Sequence, residues 1–568
     1  MDRLGELLKR CSMNELKIQV ESSLFELIRL IDENQEIMKD NIIKCIKVNI
    51  TSMILKENFR MLLLSKMQKN DIINFKMLLE PKYRNEKDLN STIERIAFAS
   101  WKKNRLMKEM WFNYLNLNET SIDGIDTKPK SEIIISNSDF YELLDYQYMI
   151  KQKTLTLIKR NDVPRALIHM PTGTGKTKTT MHTIIEYYLY NIKQNGIVIW
   201  MAHTTELIEQ AIDTFKKTWA HLGKGNIKIL RFYGSSDLNI SDIDNGIVFA
   251  GYSKIISQSK NNPELFDKIC ERCRLLVVDE AHKSVAENTL GVIKEILRQK
   301  EGMLSRALIG LTATPGRSTS NNNENSLLVN FYENRIIKID LNTLNKFNNG
   351  VFENYDEDIE EDVIRYLQER RILSRIIRVN LEYEGGISQD ILGDINRYKG
   401  EDGDFTNKFI SRMGTVVNRN VAIIDKLCEL NRNGYPTIVF ACSVEHGKII
   451  SNILSMKNIK NRCVFGDTST NERYKAIQEY KDINNDMNIL INCEVLTTGF
   501  DATNTKCIFI TRPTKSIVLY SQMLGRGLRG PLMGGNEECL LVDIKDNLEE
   551  YSNESMAFNY FNNYWGCI

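Results

Sequence analysis

The sequence predicts an α/β protein in which two parallel-sheet units follow a helical N-terminal segment. Apolar side chains recur at helical spacing in residues 1–117, where glycine occurs only at Gly5 and proline only at Pro81. From about residue 138 onward, short β-rich apolar runs alternate with helical stretches, which is typical of parallel strands joined by crossover helices.

These changes in pattern set the expected domain boundaries and strands. We expect a helical N-terminal domain at 1–117, a linker at 118–137, α/β domains at 138–335 and 336–549, and an aromatic tail at 550–568. The predicted strands of the first domain are 166–169, 197–200, 247–250, 275–278 and 308–311. Those of the second are 437–441, 489–492, 507–510 and 539–542. The glycine-dotted stretch 384–404 is interpreted as an insertion or a mobile loop.

Composition and charge indicate a globular protein but not its partner. The 568 residues allow three or four folding units at roughly 150 residues each. Hydrophobic residues (42%) and charged residues (26%) lie near the averages of globular proteins, which argues against a mainly disordered, fibrous or membrane-embedded chain. Because the 75 basic and 74 acidic residues nearly cancel in net charge, a polyanion would have to be bound by local basic surface.

The apolar runs are short and the cysteines are scattered, and both features favour a cytoplasmic protein. No run approaches the roughly 20 apolar residues of a membrane-spanning helix, and no secretory signal is evident, so we expect no membrane partner. Eleven cysteines at irregular spacing indicate reduced thiols. The close pair Cys270 and Cys273 cannot complete a tetrahedral zinc site by itself.

A strand, a glycine-rich loop and a helix follow one another between residues 166 and 190. Gly173 and Gly175 allow close approach of the backbone, and the start of the helix aims its N–H groups and positive dipole at a triphosphate. Lys176 can place its ammonium on the β- and γ-phosphates, and Thr177 can offer a hydroxyl to Mg²⁺. The predicted nucleotide-binding residues of this loop are Thr172, Gly173, Thr174, Gly175, Lys176 and Thr177.

Two carboxylates follow another predicted strand, in the tetrapeptide Asp279-Glu280-Ala281-His282. The carboxyl end of a strand is where ligands of open α/β sheets bind. We expect Asp279 to hold Mg²⁺ through water and Glu280 to orient and activate the attacking water.

Together these two elements resemble the ATP site of superfamily 2 helicases and translocases, and further stretches match that family in order. LTATP at 311–315 stands where the family couples ATP to nucleic acid, and Tyr146-Gln147 resembles its adenine-reading glutamine element. AHTTELIEQ at 202–210 and AGY at 250–252 resemble its backbone-binding stretches, although Gly251 replaces the common threonine. The resemblance implies that the nucleotide is also bound by Gln147, that coupling involves His282, Thr312 and Thr314, and that nucleic acid is bound by Thr204, Thr205, Gly251 and Tyr252.

The second α/β unit also matches the family. FACSVEH at 440–446, TTGFD at 497–501 and QMLGRGLR at 522–529 stand in the family's order. By resemblance, Arg526 and Arg529 would neutralise charge on the γ-phosphate from across a cleft. The resemblance also implies nucleic-acid contacts at Ser443, Thr497 and Thr498, a nucleotide contact at Asp501 and a coupling role for Gln522.

The resemblance covers residues 137 to about 548 and implies two tandem RecA-like domains that bind ATP and Mg²⁺ between them. The spelling of the motifs looks most like the branch that includes type III restriction motor subunits and bacterial DNA translocases. The implied function is a nucleic-acid-dependent ATPase that acts as a DNA helicase or translocase, with DNA favoured over RNA and without sequence preference. Two alternatives remain open: a motor subunit of a restriction or phage-defence assembly that binds a partner nuclease through the N-terminal domain, and an RNA helicase or nucleotide-gated clamp that does not unwind.

Aromatic residues near both ends of the α/β region need a separate interpretation. Trp111 and Phe112 lie among basic residues, and we assign them to the core of a helical bundle; a nucleic-acid or partner surface is the alternative. Ser91 and Glu94 have the spacing of a helix capping box. The tail residues are expected to dock onto the second domain; they are Phe558, Tyr560, Phe561, Tyr564 and Trp565.

Overall fold

The computed structural model confirms the α/β class, with two sheets and N-terminal helices. It divides into two compact units: Met1–Asp126, Leu381–Ile391 and Ile410–Cys493 form the first, and Thr127–Asn380, Leu392–Phe409 and Glu494–Ile568 form the second. The structure describes residues 2–31, 35–84, 88–101, 104–117, 129–136, 140–159, 163–192, 195–298, 306–316, 322–347, 363–385, 404–497, 499–500, 502–544, 558, 560–561 and 564. Most of the predicted linker and of the predicted insertion lies outside these residues, as do Thr498 and Asp501.

The N-terminal part of the first unit is helical, as predicted. Trp111 and Phe112 are buried, and the Trp111 ring lies 4.7 Å from that of Phe75, which confirms their place in the core. The predicted capping box is wrong, because the helix begins earlier and Asp88 caps it by accepting a hydrogen bond from the Ser91 amide (2.8 Å). The helices are α1 (Arg3–Lys9), α2 (Met13–Lys17), α3 (Ser22–Ile31), α4 (Gln35–Val48), α5 (Ile50–Met53), α6 (Glu57–Lys66), α7 (Lys69–Lys76), α8 (Leu89–Ala97) and α9 (Arg105–Tyr114).

The first sheet belongs to the second unit and has eight strands within the part of the chain that the structure describes. Its order is β1-β4-β5-β3-β6-β7-β2-β8, and all neighbours are parallel except the antiparallel pair β1 and β4. The strands are β1 (Ser131–Ile135), β2 (Arg165–His169), β3 (Ile197–Ala202), β4 (Asn226–Phe232), β5 (Gly246–Gly251), β6 (Cys273–Asp279), β7 (Ala307–Thr312) and β8 (Ile336–Lys338).

The five strands predicted for this sheet are confirmed, and three others were missed. Strands β3, β5, β6 and β7 are buried along their whole length, as expected of parallel strands covered on both faces. Of the missed strands, β1 lies within the predicted linker and β8 just beyond the boundary expected at 335. The helices of this region are α10 (Asp145–Ile158), α11 (Lys176–Tyr187), α12 (Thr205–Leu222), α13 (Tyr252–Asn261), α14 (Pro263–Arg272), α15 (Glu287–Leu297), α16 (Asn322–Phe331), α17 (Leu341–Phe347) and α18 (Val363–Glu369).

The remaining strands form the second sheet. Its strands in the first unit have the order β11-β12-β10 and are parallel; in the second unit the order is β13-β14-β9. The four predicted strands are confirmed, and β9 and β11 were missed. The strands are β9 (Arg375–Leu381), β10 (Thr437–Phe440), β11 (Asn461–Val464), β12 (Ile489–Asn492), β13 (Cys507–Ile510) and β14 (Glu538–Ile544). The helices are α19 (Asn407–Met413), α20 (Val417–Arg432), α21 (Val444–Met456), α22 (Thr470–Lys481) and α23 (Ile517–Leu524).

Helix α4 of the N-terminal segment packs on α21 within the first unit. Asn49, directly after α4, donates a hydrogen bond from Nδ2 to Oδ1 of Asn452 in α21 (2.6 Å). The helical segment is therefore attached to the strands and helices of the second sheet that share its unit.

The described residues of the aromatic tail contact the second unit, but not at the predicted place. The Phe558 ring stacks on His169 at the end of β2, with 4.2 Å between centroids. Phe561 is fully buried and packs against Gly316, just after β7. The expected docking onto the second α/β domain is therefore wrong for these residues, and Trp565 lies outside the described part of the chain. Among the described helices, none is long and apolar enough to cross a membrane.

Candidate ATP site

The glycine-rich loop leaves β2 and enters α11, as the sequence predicted. Gly173 (φ 87°) and Gly175 (φ 80°) both lie in the left-handed region that glycine adopts without strain. The Lys176 ammonium donates a hydrogen bond to the carbonyl of Met170 (3.0 Å), so it lies over the loop. Thr177, in the first turn of α11, is partly exposed. The loop thus presents backbone N–H groups, a cation and a hydroxyl at one point.

Two side chains at the start of α10, those of Tyr146 and Gln147, contact the glycine-rich loop. The Tyr146 hydroxyl (2.7 Å) and Gln147 Nε2 (2.9 Å) both donate hydrogen bonds to the carbonyl of Thr174. The Leu144 amide donates to Oε1 of Gln147 (3.0 Å), whose side chain is buried. A Cβ at Gly175 would lie 2.3 Å from Gln147 Nε2. The position of the Gln147 side-chain amide is therefore a second reason for glycine at residue 175. Sequence reasoning did not foresee this role in shaping the loop.

The two carboxylates lie at the end of β6, where the sequence placed them. Glu280 adopts a left-handed conformation (φ 50°), and its amide donates to Oδ1 of Asp279 (3.0 Å). Burial raises the pKa of Asp279 to about 7, and the neighbouring charge of Glu280 adds to this effect. Burial also opposes the ionisation of Glu280, but His282 and Lys176 outweigh it and lower the pKa of Glu280. The pair therefore concentrates its negative charge on Glu280.

Lys176 lies close enough to both carboxylates for their charges to affect it. Burial lowers the pKa of Lys176, whereas Glu280 and Asp279 raise it. The loop and the end of β6 thus form one electrostatic site.

The three residues predicted to couple ATP to nucleic acid within this sheet are in contact. His282 Nδ1 lies 3.3 Å from Oγ1 of Thr312 and 3.4 Å from a carboxylate oxygen of Glu280. The Thr312 hydroxyl donates to the carbonyl of Thr314 (2.7 Å) and accepts from its amide (3.0 Å). A change at Glu280 can therefore reach the end of β7 through two side chains.

The turn that carries the two arginines packs directly on the glycine-rich loop. A Cβ at Gly525 would lie 2.6 Å from Cβ of Thr172, and a Cβ at Gly173 would lie 3.3 Å from Cγ of Arg529. These four residues belong to the same compact unit. The turn after α23 thus lies against the glycine-rich loop.

Arg526 adds positive charge to this site. Its Nε donates to the carbonyl of Gln522 (3.3 Å), and its Nη1 donates to the carbonyl of Phe500. The charge of Arg526 lowers the pKa of Lys176 and contributes to lowering that of Glu280. Gln522, predicted to couple, is buried and contacts this arginine through its backbone.

Comparison with known proteins gives the family. The family model of the type III restriction enzyme res subunit matches residues 140–317, and the helicase conserved C-terminal domain matches residues 420–530. The chain belongs to the superfamily 2 helicases, in the branch of type III restriction motor subunits. Members of this superfamily are ATP-hydrolysing enzymes.

The superfamily 2 chain resembles longer proteins. It is 25% identical to the putative ATP-dependent helicase IRC3 of Saccharomyces cerevisiae over 71% of this chain and 51% of that protein. It is 23% identical to the type I restriction enzyme EcoAI endonuclease subunit of Escherichia coli over 72% of this chain and 47% of that protein. A solved structure of the helicase MrfA bound to DNA and AMPPNP aligns with a TM-score of 0.49 at 15% identity, covering 80% of this chain and 57% of that one. The chain thus spans about half the length of the two curated relatives.

Several of the predicted nucleic-acid residues lie where strands of the first sheet end. Thr204 caps α12, its hydroxyl accepting from the Leu207 amide (3.3 Å), and Thr205 is the first residue of that helix. Gln210 Nε2 donates to the carbonyl of Gly499 (2.6 Å), which brings Gly499 to α12. Thr497 is largely buried, and its hydroxyl donates to the carbonyl of Glu494 (2.6 Å).

The side chain of Tyr252 is buried. This residue follows Gly251 at the end of β5, is 8% exposed, and donates its hydroxyl to the carbonyl of Asp279 (2.7 Å). The side chain thereby supports the strand end that carries the carboxylates. The predicted contact of Gly251 and Tyr252 with nucleic acid stays a prediction.

Ser443 lies in the other unit, at the start of α21. Its hydroxyl accepts from the amide of His446 (3.1 Å). His446, which sequence reasoning did not single out, accepts from the Cys442 amide at Nδ1 (3.1 Å) and donates from Nε2 to Oδ1 of Asn420 (3.0 Å). Burial lowers the pKa of His446 to about 3. A neutral histidine thus fixes the loop that presents Ser443.

Proposed function

We propose that this superfamily 2 chain is a nucleic-acid-dependent ATPase that acts as a DNA helicase or translocase. The observation that carries the proposal is the packing of the arginine turn on the phosphate-binding loop, where Gly525 meets Thr172 and Arg529 meets Gly173. The guanidinium groups of Arg526 and Arg529, the Lys176 ammonium and an ionised Glu280 would then act in one site, a set of groups that suits phosphoryl transfer to water.

Each of these residues would have a separate task with ATP as substrate. The loop amides and Lys176 would bind the phosphates. Glu280, whose pKa is lowered, would be ionised at neutral pH and would orient and accept a proton from the attacking water. Arg526 and Arg529 would neutralise charge that develops on the γ-phosphate.

The oxygens around the loop fit a Mg²⁺ ion bound together with the nucleotide. Thr177 offers a hydroxyl and Asp279 a carboxylate, both hard oxygen donors. Among the described residues there is no cluster of three or more His, Cys, Asp or Glu side chains that could hold a metal alone. Phosphate and water oxygens would therefore complete the coordination, and the bound ion would offset phosphate charge.

Nucleic acid would be bound where the strands of the first sheet end and at Ser443. Contacts from the helix start at Thr204 and Thr205 and from Thr497 would be made to phosphates, so binding would depend on salt but not on sequence. DNA is proposed over RNA because the matching family model and the Escherichia coli relative both come from restriction enzymes.

A second candidate function is a motor subunit that works with a partner nuclease. It is favoured by the relative from Escherichia coli, which is itself one subunit of a restriction enzyme. The N-terminal helices, anchored by the contact of Asn49 with Asn452, would then carry the partner-binding surface. Purification with and without candidate partner subunits would separate this function from an autonomous helicase, because only a motor subunit would bind a partner nuclease and cleave DNA once that partner is present.

The test is the rate of ATP hydrolysis with single-stranded DNA, duplex DNA, branched DNA and RNA. We expect stimulation by DNA, displacement of a labelled strand, and loss of turnover in Lys176→Ala. Lys260→Ala, an exposed residue near the end of α13, is the matched control. Hydrolysis by Lys176→Ala at the wild-type rate, or a wild-type rate unaffected by every nucleic acid, would refute the proposal. Stimulation without strand displacement would favour a translocase or clamp.

A further inference from the structure

A lysine directly after the DEAH tetrapeptide contacts the strand that leads to the proposed nucleic-acid site. Lys283 Nζ lies 3.0 Å from Nε2 of His203, the residue between β3 and the capping Thr204. Burial and the charge of Lys283 lower the pKa of His203 to about 4, so the imidazole is neutral near pH 7. A neutral imidazole has one acceptor nitrogen, and Lys283 therefore donates this hydrogen bond to His203.

Lys283 is also part of the turn that holds the proposed general base. The turn Ala281–Lys283 follows Glu280, and the Lys283 amide donates to the carbonyl of Glu280 (2.9 Å). Glu280 adopts a left-handed backbone conformation (φ 50°) that a side-chain-bearing residue rarely adopts and that neighbouring contacts must maintain. A displacement of the Lys283 side chain would therefore act on a residue whose backbone conformation is constrained.

The order of the strands explains why Lys283 and His203 lie close together. Strand β3 lies between β5 and β6, so His203 after β3 and the turn after β6 meet at the same edge of the sheet. The hydrogen bond from Tyr252, after β5, to the carbonyl of Asp279 gives a second connection across β3. The ends of all three strands are thus tied to the carboxylate pair.

We propose that Lys283 and His203 are positioning residues that transmit nucleic-acid binding at the start of α12 to Glu280. This inference rests on the proposed function. When phosphates occupy the start of α12, the adjoining His203 and its hydrogen bond fix the Lys283 turn, and with it the carboxylate that orients water. Neither residue touches ATP or the reacting atoms in this scheme. Their effect falls on the stimulation of hydrolysis by nucleic acid.

Three substitutions separate this role from a general structural one. Lys283→Met removes the donor but keeps the length of the side chain, and His203→Phe removes the acceptor. His203→Gln keeps an oxygen that can accept from Lys283. The readouts are the ratio of hydrolysis rates with and without saturating single-stranded DNA, and the DNA Kd in the presence of a non-hydrolysable ATP analogue.

We expect Lys283→Met and His203→Phe each to lower the stimulation ratio by at least about fivefold, the lower end of coupling between two sites. Their DNA Kd should change much less, the double variant should be no worse than either single one, and His203→Gln should regain most of the stimulation. A Lys283→Met protein with a wild-type ratio would overturn the inference, as would a His203→Gln protein as impaired as His203→Phe. If Lys283→Met fails to fold, the comparison of the two His203 variants decides. A wild-type enzyme that DNA does not stimulate would overturn the proposed function itself.

Discussion

Adding one methyl group at Gly525 tests whether the arginine turn really packs on the phosphate-binding loop. Gly525 ends α23 with right-handed angles (φ −58°, ψ −14°), so alanine fits the backbone without strain. Its Cβ, however, would lie 2.6 Å from Cβ and 2.8 Å from Cγ2 of Thr172. Carbon atoms in contact normally lie about 3.5–4.0 Å apart, so the turn and the loop must separate by about 1 Å.

A separation of this size should affect hydrolysis more than folding. Overpacking costs about 1–3 kcal/mol, and replacing glycine by alanine in a helix recovers about 0.5–1 kcal/mol of that. A misplacement of about 1 Å at a reacting centre can lower the rate by about 10²-fold, which corresponds to about 2.7 kcal/mol in the activation free energy. We therefore expect kcat of Gly525→Ala to fall by about two orders of magnitude while the protein stays folded.

The assay compares kcat at saturating ATP and DNA with that of a matched glycine substitution. Gly291 lies inside α15, and a Cβ there would meet no atom within 4 Å. Gly291→Ala should keep the wild-type kcat and gain about 0.5–1 kcal/mol of stability. If Gly525→Ala were as active as Gly291→Ala, the arginine turn would not be packed on the loop during hydrolysis, and the proposed site would be refuted.

Three further outcomes are expected. Glu280→Gln should bind a labelled ATP analogue with wild-type affinity but hydrolyse ATP at least about 10²-fold more slowly, because it keeps the shape and loses the base; wild-type turnover would contradict this role. Tyr146→Phe should raise KM for ATP more than it lowers kcat, because the carbonyl of Thr174 loses one of its two side-chain donors; an unchanged KM would exclude Tyr146 from shaping the loop. Acidification from pH 7.5 to 5 should cost about 2 kcal/mol through His446, because burial lowers its folded pKa to about 3 while an unfolded histidine titrates near 6.5 and takes up the proton first. Urea denaturation of His446→Gln should show a correspondingly weaker loss of stability with falling pH, and equal pH dependence would contradict the assignment.

The residues of the candidate site could be selected from the sequence because the proposed reaction restricts them to few residue types. A phosphate-binding loop needs glycines at Gly173 and Gly175, and the ends of buried apolar strands show where ligands bind. The same strands were predictable because their apolar runs are uninterrupted, as in β6, which is buried throughout. The order of the motifs and the local hydrophobicity can both be determined from the sequence without knowledge of the fold.

Strands β1 and β4 were missed because their charged residues resemble those of a loop. Arg231 in β4 is only 4% exposed, yet it interrupts the apolar run. Carboxylate oxygens of Glu132 in β1 (3.0 Å) and Glu209 in α12 (3.3 Å) lie beside its guanidinium. A buried arginine is tolerated only when such partners surround it. These partners come from two other elements, and no local pattern reveals them.

The positioning contacts were unpredictable for a related reason. Lys283 and His203 are 80 residues apart, and Tyr146 and Thr174 are 28 apart. Each side chain is ordinary in its own stretch of sequence, and its role arises only when the sheet brings the partners to one edge. The contact of Phe558 with His169 was unpredictable for the same reason. A cluster of aromatic residues indicates that the tail is buried, but not which surface buries it.

The contacts that surround Glu280 predict two distinguishable kinds of failure. The packing of Gly525 on Thr172 holds the arginine turn against the glycine-rich loop, so its loss should lower hydrolysis with and without DNA by a similar factor. The hydrogen bond between Lys283 and His203 instead joins Glu280 to the start of α12, so its loss should mainly lower the stimulated rate. Because these contacts share no residue, their effects on the stimulated rate should add as free energies in a double variant. A strongly non-additive result would mean that the arginine turn and the Lys283 turn move as one element.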